Sequence, residues 1–457
     1  MQRRDLLKGG AGLAAALGLP AISLPAGAQT RAIPWQNWSG YLRCTPQDRV
    51  APADSSELAT LLKTSTGTVR PVGAGHSFSG LVPTDGTIVS LRHFSGLVDH
   101  DPQAMTATLG AGTKLGQMGE LLQPIGQALP NMPDVDEQSL AGAMATGTHG
   151  TGRELGALHA YIDALQLVTP TGEVLELSRE QNADLFAAAQ VSLGTLGVVT
   201  QYRLRNVEPY SLRRRAFLMP IEELLAEFPS RIQQHRGFEM FYIPFSGHGL
   251  AITTDISTDS PSPRGEDQDN SALEDLRLLR DLLSWSPLAR EKLFSMIAAL
   301  TFEAEDNVDL WYRIYPSDRA VRFNEMEYHI PQQRIPEALA EVRSTLEAEH
   351  PEVFFPIEVR VTAPDDAWLS PFQGEPRGSI AVHRVHDEDP LPVQRTVEPI
   401  FRKYGGRPHW GKMHNLSSRD CAELYPRWQD FARLRAELDP QGRMLNDHLR
   451  QLFGLPA

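Results

Sequence analysis

Pro71-Val-Gly-Ala-Gly-His-Ser-Phe-Ser-Gly80 sets three glycines and two serines around a single histidine. Ahead of it, Gly67-Thr-Val-Arg-Pro71 carries a β-branched pair and then a proline, which predicts a short strand running into the loop. Gly73 and Gly75 free the backbone to take positive φ and to approach a ligand with no Cβ in the way. Successive amides in such a loop can line a concave nest for an anion. The stretch is neither G-x-x-x-x-G-K-[ST] nor G-x-G-x-x-G, so by itself it is equally an ordinary tight turn.

A second loop of the same character follows. Ser139-Leu-Ala-Gly-Ala-Met-Ala-Thr-Gly-Thr-His-Gly150 is built almost wholly of small residues, with His149 near its end. Small side chains suit a place where a flat ring or a phosphate lies against backbone. A third glycine-marked turn, Gly194-Thr-Leu-Gly-Val-Val199, leads into a strand.

The chain has 457 residues, enough for two or three lobes. Hydrophobic residues make up 41% and charged residues 22%, the balance of a globular protein. A net charge of −14 argues against nucleic acid or an anionic membrane as partner. Two cysteines, Cys44 and Cys421, are too few for a disulfide scaffold or a structural zinc site, and their pairing stays open. Residues 1–28 read as an address. Arg3-Arg4-Asp5-Leu6-Leu7-Lys8 is a twin-arginine pattern, an apolar run from Gly9 to Leu19 is too short to span a bilayer, and Ala26-Gly27-Ala28 offers a cleavage site. That route exports folded proteins, commonly with a cofactor already loaded, so periplasmic or secreted placement is expected. No other stretch is apolar enough to cross a membrane.

Alternating short strands and helices predict an α+β or α/β domain up to about residue 210. A helix over Ser55–Lys63 is expected, with Ser55 or Ser56 as N-cap. Strands are expected at Thr87–Leu91, Met105–Gly112, Ile162–Leu167 and Val174–Leu177. Beyond the basic run Arg213–Arg215 the pattern changes, with a polar loop over Asp255–Asn270 and a long helical stretch over Ala272–Leu300. Glu325–Ile330 and Val353–Thr362 read as strands. In Phe354-Phe-Pro-Ile-Glu-Val-Arg-Val-Thr362, period two puts Glu358, Arg360 and Thr362 on one face and Ile357, Val359 and Val361 on the other. That polar face is either a solvated ion pair or a site for a polyhydroxylated substrate. Arg407-Pro-His-Trp-Gly-Lys-Met-His-Asn415 is either a polar pocket or a surface loop. His383-Arg-Val-His386 is an unspecific H-x-x-H whose histidines point opposite ways on a strand, and no metal ligand is assigned. No G-x-S-x-G elbow exists.

Taken in order, Val72-Gly-Ala-Gly-His-Ser, Ala145-Thr-Gly-Thr-His-Gly, Gly194-Thr-Leu-Gly-Val-Val, Glu358-Val-Arg and His409-Trp-Gly-Lys resemble the vanillyl-alcohol-oxidase-type (PCMH-type) FAD superfamily. The resemblance is to its aldonolactone oxidase and alditol oxidase branch and covers nearly all of Trp35–Gly454. It implies an α+β fold. A two-subdomain FAD domain would span 29–210 and a cap on an antiparallel sheet with flanking helices 211–415. A segment over 416–457 would return to the FAD domain. It implies FAD linked covalently through His76 and cradled by Val72, Gly73, Ala74, Gly75 and Ser77. From the second loop it enlists Ser139, Gly142, Thr146, Gly147, Thr148, His149 and Gly150. From the later motifs it adds Gly197, Val198, Val199, His409 and Lys412. Lys412, Arg360, Glu358 and Ser139 would be the catalytic set. The implied reaction is hydride delivery from a sugar CH–OH carbon to flavin, with a lactone or an alditol as substrate. Oxygen or a periplasmic or membrane electron carrier would be the acceptor. Gly411 stands where lactone-oxidising members often have Ala, and the polar Thr or Ser of some alditol oxidases is missing from His383–Val385. The competing non-enzyme reading is a periplasmic sugar- or metal-binding protein, which would be colourless.

Overall fold

The computed structural model describes residues 33–265, 269–283, 286, 289, 292–293, 304–317 and 320–456. The twin-arginine segment and most of the stretch expected to be helical beyond 283 lie outside the described residues.

Three sheets carry the fold. The first is a parallel three-stranded sheet of β1 (Asp48–Val50), β2 (Val69–Val72) and β3 (Thr87–Ser90), with β3 in the middle. Beside it runs helix α1 (Ser55–Thr64), whose N-cap is Asp54 rather than either serine. The Asp54 carboxylate accepts the Glu57 N–H at 2.9 Å, a stronger acceptor than a hydroxyl for an orphan amide at the positive end of a helix. The second sheet is antiparallel and ordered β4-β5-β8-β6-β7. Its strands are β4 (Leu97–Asp101), β5 (Thr106–Gly110), β6 (Ile162–Val168), β7 (Val174–Ser178) and β8 (Val198–Arg205). Helix α2 (Leu140–Thr146) packs its Leu140, Ala143 and Met144 into the core this sheet shares with the first.

The third sheet has eight antiparallel strands: β9 (Ser211–Pro220), β10 (Gly237–Ile243), β11 (His248–Ser257), β12 (Glu305–Leu310), β13 (Phe323–Pro331), β14 (Ile357–Thr362), β15 (Arg377–Val385) and β16 (Arg407–Pro408). Their order is β12-β9-β11-β10-β14-β15-β13-β16. Asp255–Ser257, expected in a loop, continue β11, because that strand pairs along its whole length with β9. Arg213–Arg215 lie on β9 and are paired with Asp306, Glu305 and Asp259. Pro356 ends up just before β14, so the missing N–H falls outside the ladder.

Helices α3 (Ile221–Gln234), α4 (Ile335–Glu349) and α5 (Leu391–Lys403) cover one face of the third sheet. Their apolar stripes bury Leu224, Phe228, Leu339, Val342 and Val397 against Ile357, Val359 and Val361 of β14 and Met326, Tyr328 and Ile330 of β13. The opposite face turns toward the first two sheets, and every residue of β14 is buried. The solvated-face reading of Glu358 and Arg360 therefore fails: their polar face is covered by the other half of the protein. After β16 the chain returns to the first core, where Trp428, Phe431, Leu449 and Phe453 pack with α1 and β2. Cys44 and Cys421 are both free. No helix among the described residues is long and apolar enough to cross a membrane.

Candidate active site

Between the third sheet and the first two lies a cavity of about 300 Å³. The loop after β2 forms one side. Fully buried Arg70 on β2 sets the ends of this loop, donating to the carbonyls of Leu81 (2.7 Å), Leu193 (2.7 Å), Gly194 (2.9 Å) and Met444. Gly75 takes φ +75°, the conformation for which glycine is the low-cost residue. The N-terminal aromatic arm and the segment after β16 pin the same loop. The Trp38 N–H donates to Gly75 O at 2.8 Å, the Phe78 N–H to Gly411 O at 2.6 Å, and Ser79 Oγ to Trp410 O at 2.5 Å. The Trp38 ring stacks on His76 with centroids 5.3 Å apart. Burial, with Lys412 nearby, lowers the His76 pKa to about 4, so the imidazole is neutral at pH 7.

Gly73 passes so close to the second loop that a Cβ there would sit 1.8 Å from Ser139 Oγ. Ser139 Oγ is buried, lines the cavity and has no hydrogen-bond partner among the described residues. Val72, Ala74, Ser77, Gly142, Thr146, Thr148 and His149 line the cavity as well, as do Gly197, Val198 and Val199. Two expected residues do not. Gly147 closes α2 at φ +82° against Pro371, and Gly150 packs where a Cβ would meet Met132 O at 2.4 Å. Both glycines are needed for chain packing at these points. A bed of backbone and small side chains, one orphaned hydroxyl and a neutral histidine fits the isoalloxazine and ribityl chain of FAD.

The opposite side is ionic. Period two on β13 sends Met326, Tyr328 and Ile330 into the core and Glu325, Glu327 and His329 the other way. Glu325 is paired with Lys412, which also sits over the Phe78 ring at 5.2 Å. Arg360 NH2 donates to Glu327 Oε1 at 2.9 Å and NH1 to His149 O at 3.3 Å, while Nε lies 3.1 Å from Glu358 Oε1. With Glu327 ionised, His149 Nε2 is assigned as donor to the same oxygen at 2.9 Å, and its Nδ1 then lies 2.8 Å from Gly150 O. Burial would discharge all three partners, but one guanidinium can offset only one carboxylate. Glu327, with two donors on one oxygen, keeps its pKa well below the usual range against burial. Burial raises Glu358 well above that range, and it sits beside Arg360 Nε rather than on the cavity surface, where it braces Arg360. Against burial, the adjoining carboxylates hold Arg360 charged.

His409 and Lys412 both line the cavity. His409 Nδ1 accepts the Gly411 N–H at 3.0 Å and burial keeps the ring neutral, so its proton is on Nε2. Gly411 leaves little room, since a Cβ would come within 3.2 Å of His409 Cε1 and Ser77 Oγ. His409, Gly411 and Lys412 of the stretch 407–415 are therefore pocket wall, while Asn415 at its end is exposed. His383 is half-buried, with Nε2 3.7 Å from Glu325 Oε1, whereas His386 is exposed past the end of β15, so the H-x-x-H pair does not converge. Sequence reasoning passed over Arg70, Trp38, Glu325 and Glu327. The β13 carboxylates had a signal, strict alternation of Glu325, Glu327 and His329 with apolar neighbours.

Comparison with known proteins agrees with this construction. The D-arabinono-1,4-lactone oxidase family matches residues 202–452, and an FAD binding domain matches 46–178. An L-gulono-1,4-lactone dehydrogenase of Mycobacterium tuberculosis is 36% identical over 92% of this chain and 99% of its own. The L-gulonolactone oxidase of Mus musculus is 30% identical over 93% of this chain and 99% of its own. An alditol oxidase of Streptomyces sp. is 31% identical, over 91% and 98%. Among solved structures, cholesterol oxidase from B. sterolicum superposes with a TM-score of 0.76 at 16% identity, covering 94% of this chain and 99% of that one, a likeness of fold. The chain belongs to the D-arabinono-1,4-lactone oxidase family and is an FAD-dependent oxidoreductase.

Proposed function

We propose that this enzyme oxidises one CH–OH group of an aldono-1,4-lactone, with FAD joined covalently through His76. The observation that carries the reading is convergence. The donors of Arg360, Lys412 and His409 reach the same cavity that the His76 and Ser139 loops line. FAD, when bound, supplies the two-electron acceptor. The chain's own residues bind and polarise the substrate. Arg360 and Lys412 are cationic donors placed for ring and hydroxyl oxygens, and they lower the cost of releasing the hydroxyl proton. Lys412 is steered by Glu325, and Arg360 by Glu327 and Glu358. A neutral His76 keeps a ring lone pair available for a bond to the cofactor.

Lactone names among the 36% and 30% relatives support the substrate class. The alditol oxidase at 31% favours open-chain polyols as the second reading. The twin-arginine pattern supports export to the periplasm, where oxygen or an electron carrier would reoxidise the enzyme.

The test is an absorption spectrum before and after acid precipitation, followed by steady-state rates. Yellow colour in the pellet, with L-gulono-1,4-lactone turned over more than about tenfold faster than xylitol, is the expected result. A yellow supernatant removes the covalent bond, and faster turnover of xylitol moves the substrate to polyols. Colourless protein from flavin-replete cells overturns the reading.

A further inference from the structure

Glu327 belongs to neither the E-x-R strand nor the H-W-x-K segment, yet it contacts Arg360, His149 and the backbone of His409. Its side chain is fully buried on β13. One oxygen, Oε1, takes hydrogen bonds from Arg360 NH2 and from His149 Nε2, both at 2.9 Å. Arg360 NH1 closes the triangle on His149 O at 3.3 Å. The backbone of the same residue holds the third element, since Glu327 O accepts the His409 N–H at 3.0 Å. A buried carboxylate is costly to ionise, and this one is offset chiefly by Arg360. Arg360 has two other carboxylates within reach, Glu358 at 3.1 Å and Asp134 at 3.9 Å. Without Glu327 its guanidinium has alternative partners off the line to the cavity.

We propose that Glu327 is the positioning residue of this site: it aims Arg360 into the cavity and ties it to His149, so that the cap sheet and the second loop set the cation's direction together. The proposal rests on the functional reading above. It differs from general structural support in acting through one partner, and a double-mutant cycle isolates that.

The experiment compares E327Q, R360A and the double variant as flavin-loaded, full-length enzyme. Assays use L-gulono-1,4-lactone with an artificial electron acceptor, with flavin content and Tm as folding controls. E327Q is expected to lower kcat more than about tenfold with KM within about threefold, the signature of a misaimed group rather than a lost binding contact. Adding E327Q to R360A should cost less than about twofold further. A crystal structure of E327Q should show the Arg360 guanidinium turned toward Glu358 or Asp134, a readout independent of turnover. Additive losses, an unmoved Arg360, or a folded E327Q with near-native kcat would each overturn the proposal. If E327Q does not load flavin, E327D takes its place. Its shorter carboxylate keeps the charge but cannot span both donors, so native kcat in E327D also overturns it. Wild-type protein that turns over neither lactone nor polyol would instead fault the functional reading.

Discussion

Along one side of the cavity, from Val72 to Ser77 and from Ser139 to His149, the surface is mostly backbone and small side chains. Along the other, Glu325, Glu327, Arg360 and Lys412 are bonded to one another in opposite-charge pairs. The two sides solve different problems. A large flat ligand with many acceptors is held by close backbone approach, which tolerates almost no added atoms. A small hydroxylated ligand is recognised by a few directed charges, which tolerate no loss of direction. The division assigns cofactor retention to the first side and turnover to the second, and mutations should separate the two.

Arg360→Ala carries the largest expected effect. It removes a buried cationic donor that lines the cavity, so kcat should fall by roughly 10²–10³-fold. Tm should fall, because Glu327 loses the cation that offsets its burial, while flavin content of the folded protein should change little, because Arg360 belongs to the ionic side. Gly73→Ala is the converse. The added methyl collides with Ser139 Oγ at 1.8 Å, so flavin occupancy should drop more than about tenfold, while whatever protein loads should keep a near-native KM. Measuring flavin per chain beside kcat and KM for both variants checks the division. Loss of flavin in Arg360→Ala, or full occupancy in Gly73→Ala, would break it.

Lys412→Met comes next. Lys412 is partly exposed, and Glu325 and the Phe78 ring share its charge. Its removal should slow anaerobic flavin reduction by lactone by more than about tenfold, less than the loss for Arg360. Unchanged reduction kinetics would take Lys412 out of the chemistry and leave Arg360 as the sole polarising cation.

The two sides were not equally legible in the sequence. The backbone side announces itself, because Pro71–Gly80 and Ser139–Gly150 are contiguous and small residues in such runs have few other uses. What stayed hidden there is support from afar. Arg70 and Trp38 are ordinary residues until the fold brings Leu193, Met444 and Gly75 to them. On the ionic side, Glu358 and Arg360 could be placed on one strand face, but whether that face met water was undecidable from β14 alone. Glu325 and Glu327 showed the same alternation on a strand, and the same question applied to their face. Their meaning depends on a domain packed over them, a long-range fact that local periodicity does not encode. Gly147 and Gly150, implied as cofactor-binding by the resemblance, make close contacts to Pro371 and Met132 that the sequence did not show.

The smallest effect tests what lies behind the backbone side. His414 and His448 stand 6.0 Å apart, and Gly80, at the end of the first loop, abuts His448 so closely that a Cβ would come within 2.9 Å of its ring. Burial, helped by His448, lowers His414 to about 3, and burial with Arg70 nearby lowers His448 to about 4. Both folded values lie below the unfolded value of about 6.5. The unfolded chain therefore takes up protons first as the pH drops. The stability these residues contribute is complete above about pH 6.5 and declines as pH falls toward 4, by about 1–2 kcal/mol per histidine between pH 6.5 and 5. In that window Glu327 keeps its charge, because its pKa is held well below the usual range, whereas His149, His329 and His409, lowered by burial, add a fall of the same sign and Glu358, raised by burial, opposes it, so the pair is read from the effect of its own substitution and not from the whole curve. His448→Gln should flatten the fall of Tm over pH 6.5–5 by about a degree or two relative to wild type. Parallel curves for the two proteins would mean that His448 is not among the groups through which acid loosens this part of the fold.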